Sequence, residues 1–143
     1  MTNDQIECRA MGGPERFDAL RLMQTFRGDE HRLSDALKLF VEREDYGFVW
    51  LAYREDAAVG CASVGYTIST DAGGLVAVVR DLYVVPAARR SGVATALLAA
   101  LGTRLAALDV TRFELAAAGD PGLLAFASAR GFTLTAGLFA ARR

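Results

Sequence analysis

The stretch DLYVVPAARRSGVATALLAAL, Asp81 to Leu101, joins two kinds of local structure across a basic turn. Leu82-Tyr83-Val84-Val85 is a β-forming run stopped by Pro86. Ala87 to Ser91 is a polar turn carrying Arg89 and Arg90. From Gly92 the apolar residues Val93, Leu97, Leu101, Leu105 and Leu108 recur three or four apart, which predicts a helix. A strand, a basic turn and a helix N-terminus together form a device for holding phosphate. The first N–H groups of a helix have no partner within it, and the macrodipole adds roughly half a positive charge there. A glycine at the entry lets phosphate approach the backbone.

The 143 residues are enough for one domain with a sizeable core, and 52% hydrophobic content argues against disorder. The longest strongly apolar run, Val93 to Leu101, is too short to span a membrane. The N-terminus, MTNDQIECRA, is polar and acidic where a secretory leader would be basic and then apolar, so a cytoplasmic protein is expected. A net charge of −1 gives no electrostatic footprint for nucleic acid. Cys8 and Cys61 make no disulfide framework, and with His31 as the single histidine no metal site is expected.

In chain order, Gln5 to Met11 reads as a first strand, and Gly12-Gly13-Pro14 breaks it ahead of a helix with Phe17, Leu20 and Met23 on one side. His31 falls in a polar connection, Phe26 to Arg32. Ser34 is the expected N-cap of a second helix carrying Leu33, Ala36, Leu37, Phe40 and Val41. The two helices are expected to cap one end of a sheet. Phe48 to Tyr53 and Val59 to Thr70 read as strands around a polar turn, Arg54 to Ala58. After Asp71-Ala72-Gly73-Gly74, Leu75 to Val85 completes an antiparallel meander. Beyond the Val93 helix, Thr111 to Ala117 is a strand expected parallel to Leu75–Val85. Asp120 caps a short helix through Leu123, Leu124 and Phe126 that ends at a left-handed Gly131, and Phe132–Leu134 with Leu138–Ala140 finish the sheet. The fold class is α/β (α+β): one mixed central sheet with helices on both faces.

The turn lacks the lysine of a P-loop and the three glycines of a dinucleotide fingerprint. Arg89-x-x-Gly92-x-Ala94, placed between strand and helix, resembles instead the pyrophosphate loop of the GNAT superfamily of acyl-CoA-dependent N-acetyltransferases. The resemblance extends over residues 1–143 in element order, with Val59-Gly60, Leu82–Pro86 and Arg130-Gly131-Phe132 at the family's positions. It implies that two parallel strands splay and that the pantetheine arm lies against Leu82, Tyr83 and Val84. It also implies that the amides of Arg90, Ser91, Gly92, Val93, Ala94 and Thr95 surround the pyrophosphate, with Arg89 and Arg90 adding charge-assisted contacts or serving only as solvated turn residues. A bulge near Tyr83 or Val84 would aim a backbone N–H at the developing oxyanion.

Acyl transfer to an amine needs a base, because a lysine-like amine has a pKa of about 10.4. Asp81 is the best-placed carboxylate, with a purely structural pairing to Arg80 as its alternative; Glu114 is the second choice. The family's acid tyrosine stands four residues before Gly-Phe, where this chain has Ala127, flanked by Phe126 and Ser128. His31 borders the region that holds the acceptor in relatives. The resemblance thus implies acetyl transfer from acetyl-CoA to a primary amine of a small molecule or protein, with no nucleic-acid, membrane or metal partner. A homodimer is among the expectations. The alternative implied by Ala127 is a catalytically silent module that binds acyl-CoA as a sensor or supports a partner.

Overall fold

The computed structural model describes residues 5–116 and 121–132. In chain order they form β1 (Glu7–Ala10), α1 (Arg16–Gln24), α2 (Glu30–Glu42), β2 (Gly47–Arg54), β3 (Ala57–Ser69), β4 (Gly74–Val84), α3 (Val93–Ala107), β5 (Arg112–Leu115) and α4 (Pro121–Ala129). One sheet runs in the order β1-β2-β3-β4-β5. Its first three pairings are antiparallel and β4–β5 is parallel, so the sheet is mixed. The parallel step requires a crossover, and α3 supplies it.

Strand β2 is buried on both faces, and its period of two divides the core into two layers. Phe48, Trp50 and Ala52 join Val93, Leu97, Leu101 and Leu105 of α3 on one side. Val49, Leu51 and Tyr53 join Ala19, Leu22 and Met23 of α1 and Leu33 and Leu37 of α2 on the other. The α3 residues recur every fourth position, which keeps them in one row facing the sheet. Each fully buried leucine in that row contributes roughly 1.5–3 kcal/mol relative to exposure. The Trp50 indole donates its N–H to the Leu97 carbonyl at 3.2 Å, so the bulkiest side chain buries no orphan donor.

Several local expectations need correction. Asp29, not Ser34, caps α2: its carboxylate accepts the Arg32 N–H at 3.1 Å, and Ser34 lies a full turn inside. Consequently His31 sits exposed in the first turn of α2. In α1 the buried residues are Ala19, Leu22 and Met23, while Phe17 is 74% exposed. Helices α1 and α2 cover a face of β2 and β3, not an end of the sheet. The β2–β3 turn needs only Glu55 and Asp56, because both adopt positive φ (51° and 66°), which reverses a chain in two residues. Strand β5 is shorter than Thr111–Ala117. Ala117, the Asp120 cap and the final strands from 133 onward lie outside the described residues. Gly131 does adopt the left-handed conformation, at φ 89°.

Gly60 on β3 lies against the start of α3. A Cβ there would lie 3.0 Å from Val93 Cγ1, 3.1 Å from Leu97 Cδ1 and 3.3 Å from the Tyr83 carbonyl. Gly60→Ala should therefore lower stability in urea denaturation by roughly 1–3 kcal/mol through overpacking. Leu97→Val removes one of the two side-chain atoms in the way, so the double variant should lose less than the sum of the singles. Additive losses would show that the helix start has room to move.

Candidate functional site

The turn between β4 and α3 builds the first half of the site. Pro86–Ala88 forms one 3₁₀ turn; Arg90 and Gly92 then take positive φ, 62° and 86°, before α3 begins. The first α3 bond runs from Ala96 N–H to the Gly92 carbonyl. No backbone N–H from Arg90 to Thr95 has an acceptor among the described residues. Those of Val93, Ala94 and Thr95 are the orphan donors of a helix start, and a Cβ added at the N-cap Gly92 would meet nothing within 4 Å.

A cavity of about 430 Å³ opens on them. Of the residues expected at the cofactor, Val84, Arg89, Arg90, Gly92, Val93, Ala94 and Thr95 line it. Ser91 does not. Its hydroxyl donates to the Ala88 carbonyl and accepts from Arg54 of β2, so it braces the turn from behind. Leu82 packs toward α3, and Tyr83 packs on the opposite face, its ring 5.1 Å from that of Phe26. The Arg89 guanidinium donates to the Val84 carbonyl at 2.9 Å and lies over the Tyr83 ring.

The second half of the site is a break in the sheet. Pairing of β4 with β5 runs from Val76 to Val79 and ends with Ala116 N–H on the Val79 carbonyl. Strand β4 continues to Val84, and among the described residues none pairs with that edge beyond Val79. On its other edge the register jumps from Ser63–Arg80 to Cys61–Tyr83, so Asp81 and Leu82 together oppose Ala62. This is a bulge, and Asp81 sits in it at φ 53°, a conformation an aspartate tolerates better than most residues.

Asp81 is held from two directions. Its Oδ1 pairs with Arg27 from the α1–α2 connection, and its Oδ2 accepts the buried Ser63 hydroxyl at 2.8 Å. Arg27, not the exposed Arg80, is its ion-pair partner, because the left-handed bulge redirects the carboxylate toward α1 and α2. Burial, and then the Asp81 charge, push the Cys61 thiol beneath it up to about 12, so this cysteine is a packing residue. A second cavity, about 320 Å³, lies against Asp81 between Arg27, Asp29, Arg32, Leu33 and Ala36. Glu114 is tied to Arg112 at the level of Val78, where the sheet is still closed.

Helix α4 completes the first cavity. Phe126 and Arg130, four residues apart, line it, and Arg130 donates to Thr95 Oγ1 at 2.7 Å. Ala127 is buried and outside the lining; its carbonyl accepts the Phe132 N–H. Ser128 is exposed.

The sequence matches the acetyltransferase (GNAT) family over residues 15–132. The chain belongs to the GNAT acetyltransferase family. Similar solved structures carry the same fold. One is the aminoglycoside 6'-N-acetyltransferase AAC(6')-IG of Acinetobacter haemolyticus, 25% identical, with 96% of this chain and 97% of that one covered at TM-score 0.77. A second is the aminoglycoside N-acetyltransferase AAC(6')-Iy in complex with CoA, 18% identical, covering 97% and 95% at TM-score 0.80. A third is an integron cassette protein from the mobile metagenome of Cole Harbour Salt Marsh, 22% identical, covering 95% and 89% at TM-score 0.80. No curated protein is significantly similar in sequence.

For this GNAT chain, sequence reasoning missed Arg130, Arg27 and Ser63. The spacing from Phe126 to Arg130 is one helical turn and would have placed both on one face of α4. No periodicity links Asp81 to Arg27 or Ser63, 54 and 18 residues away.

Proposed function

We propose that this GNAT protein transfers an acyl group, acetyl in the simplest case, from acyl-CoA to an amine nitrogen. The observation that carries the reading is the run of unpaired amides from Gly92 to Thr95, on residues that line one cavity together with Arg89, Arg90 and Arg130. Donors fixed at a helix start suit a pyrophosphate, and three guanidiniums add charge-assisted partners for phosphate. Leu82, Tyr83 and Val84, on a strand edge freed from β5, can pair with the amides of the pantetheine arm. The Val84 carbonyl is then available once Arg89 leaves it for phosphate.

When bound, acyl-CoA supplies the thioester. The amine nitrogen bonds the acyl carbon, the C–S bond breaks, and the proton lost by the amine ends on the thiol. Asp81 lines the second cavity. Its oxygens keep lone pairs beyond those used by Arg27 and Ser63, so it can hold the incoming ammonium and take its proton, directly or through water. No phenol on α4 faces the first cavity among the described residues; the lining side chains there are Phe126 and Arg130. That observation favours the second reading, a module that binds acyl-CoA without turning it over.

Three measurements test these assignments. Saturating acetyl-CoA should raise the melting temperature by several degrees through mass action. Gly92→Ala has space for its methyl but must hold φ 86°, a strain of about 1–2 kcal/mol. It should blunt the CoA shift, and wild type indifferent to acetyl-CoA would end the ligand assignment. Asp81→Asn should lower turnover by about 10²–10⁴ with CoA affinity unchanged; a drop below about threefold would leave Asp81 a structural role only. Finally, Phe126→Tyr adds a hydroxyl inside the cavity, whereas Ala127→Tyr overpacks a buried position at roughly 1–3 kcal/mol. If thiol departure is slow for want of a proton donor, Phe126→Tyr should speed acetyl transfer and Ala127→Tyr should mainly destabilise. CoA binding with no transfer to any amine, in wild type and Phe126→Tyr alike, would favour the silent module.

A further inference from the structure

We infer that the acceptor amine carries its own carboxylate, as a small aliphatic amino acid does, and that Arg27 and Arg32 read it. This rests on the acyltransferase reading and names the substrate class for the second cavity. The cavity, about 320 Å³, is lined by Arg27, Asp29, Arg32, Leu33, Ala36 and Asp81 along with Gly28. At that volume it is near the small end of ligand sites.

Its charges are already paired one to one. Arg27 binds Asp81 through one terminal nitrogen, and Arg32 binds Asp29 through Nε at 3.3 Å. Asp29 also caps α2 by accepting the Arg32 N–H. Each carboxylate balances one guanidinium, so the charges lining the cavity sum to zero. A guanidinium has five N–H donors in a planar fork, and each of these two uses only part of it. The Arg27 and Arg32 side chains are 55% and 80% exposed, so their unused donors are accessible.

A polyamine or aminoglycoside would bring several uncompensated positive charges to a cavity whose own charges already balance. A zwitterion meets the opposite situation. Its ammonium has Asp81, the carboxylate nearest the break in the sheet, and its carboxylate has the forks of Arg27 and Arg32, which suit planar bidentate contact. Leu33 and Ala36 leave an apolar wall for a short side chain. Aminoglycosides, the acceptors of the similar acetyltransferases, are thus a poor match to this cavity's charge.

The test is calorimetry on the full chain at saturating CoA, with the free amino acids, each beside its carboxamide, and with spermidine and kanamycin as polycations. An aliphatic amino acid should bind at least tenfold more tightly than its carboxamide. Arg32→Gln, at an exposed position, should cost that amino acid a similar factor. Removing the guanidinium and the carboxylate together should cost no more than removing either one. Thiol release from acetyl-CoA should rank the amines in the same order. Tighter binding of spermidine or kanamycin, no binding of any amino acid, or an Arg32→Gln loss equal for acid and carboxamide would each overturn the inference. Amino acids that bind but release no thiol would sink the transferase reading and leave this one standing. Thiol release with polycations alone would do the reverse.

Discussion

The site depends on where, among the described residues, β4 and β5 stop pairing. Parallel pairing with β5 ends at Val79, yet β4 runs on to Val84. An unpaired strand edge inside a protein leaves backbone donors and acceptors that need partners. Here the end of β4 leads into a helix start whose own amides are also unpaired among the described residues. Val84 at the end of β4 and the residues of the helix start line one cavity.

Packing keeps that opening in register. Gly60 allows Val93 and Leu97 to sit against β3 at near-minimum distance, and the Trp50 indole fixes Leu97 from the neighbouring strand. The first turn of α3 is therefore held by its apolar residues while its amides face outward. Arg54 secures the turn from behind through Ser91, and Arg130 reaches across from α4 to Thr95. The cationic residues around the cavity thus divide into braces and candidate ligands, a division set by which neighbours they meet.

The bulge does for the acceptor side what the split does for the cofactor side. One extra residue in β4 turns Asp81 toward α1 and α2, where Arg27 and Ser63 fix both oxygens. Backbone strain at a non-glycine residue persists only where surrounding contacts over-determine it. Asp81 meets that condition, with one partner from β3 and another from the α1–α2 connection.

Much of this is legible in the chain itself. The β-run to Val85, the basic turn and the fourfold apolar spacing of α3 specify strand, loop and helix locally, because hydrophobic period and backbone chemistry act over a few residues. The same locality makes Gly92 and the orphan amides after it readable from the sequence alone. Local reading fails where two local solutions compete, as with Asp29 over Ser34 at the start of α2. What only the tertiary structure decided is who meets whom: Arg27 rather than Arg80 at Asp81, Phe126 rather than Ala127 at the cavity, Arg130 against Thr95. The Arg27–Asp81 and Arg130–Thr95 contacts join residues 54 and 35 positions apart. Their geometry comes from the packing of α1, α2 and α4 on a twisted, bulged sheet, and no short-range pattern in the chain encodes it.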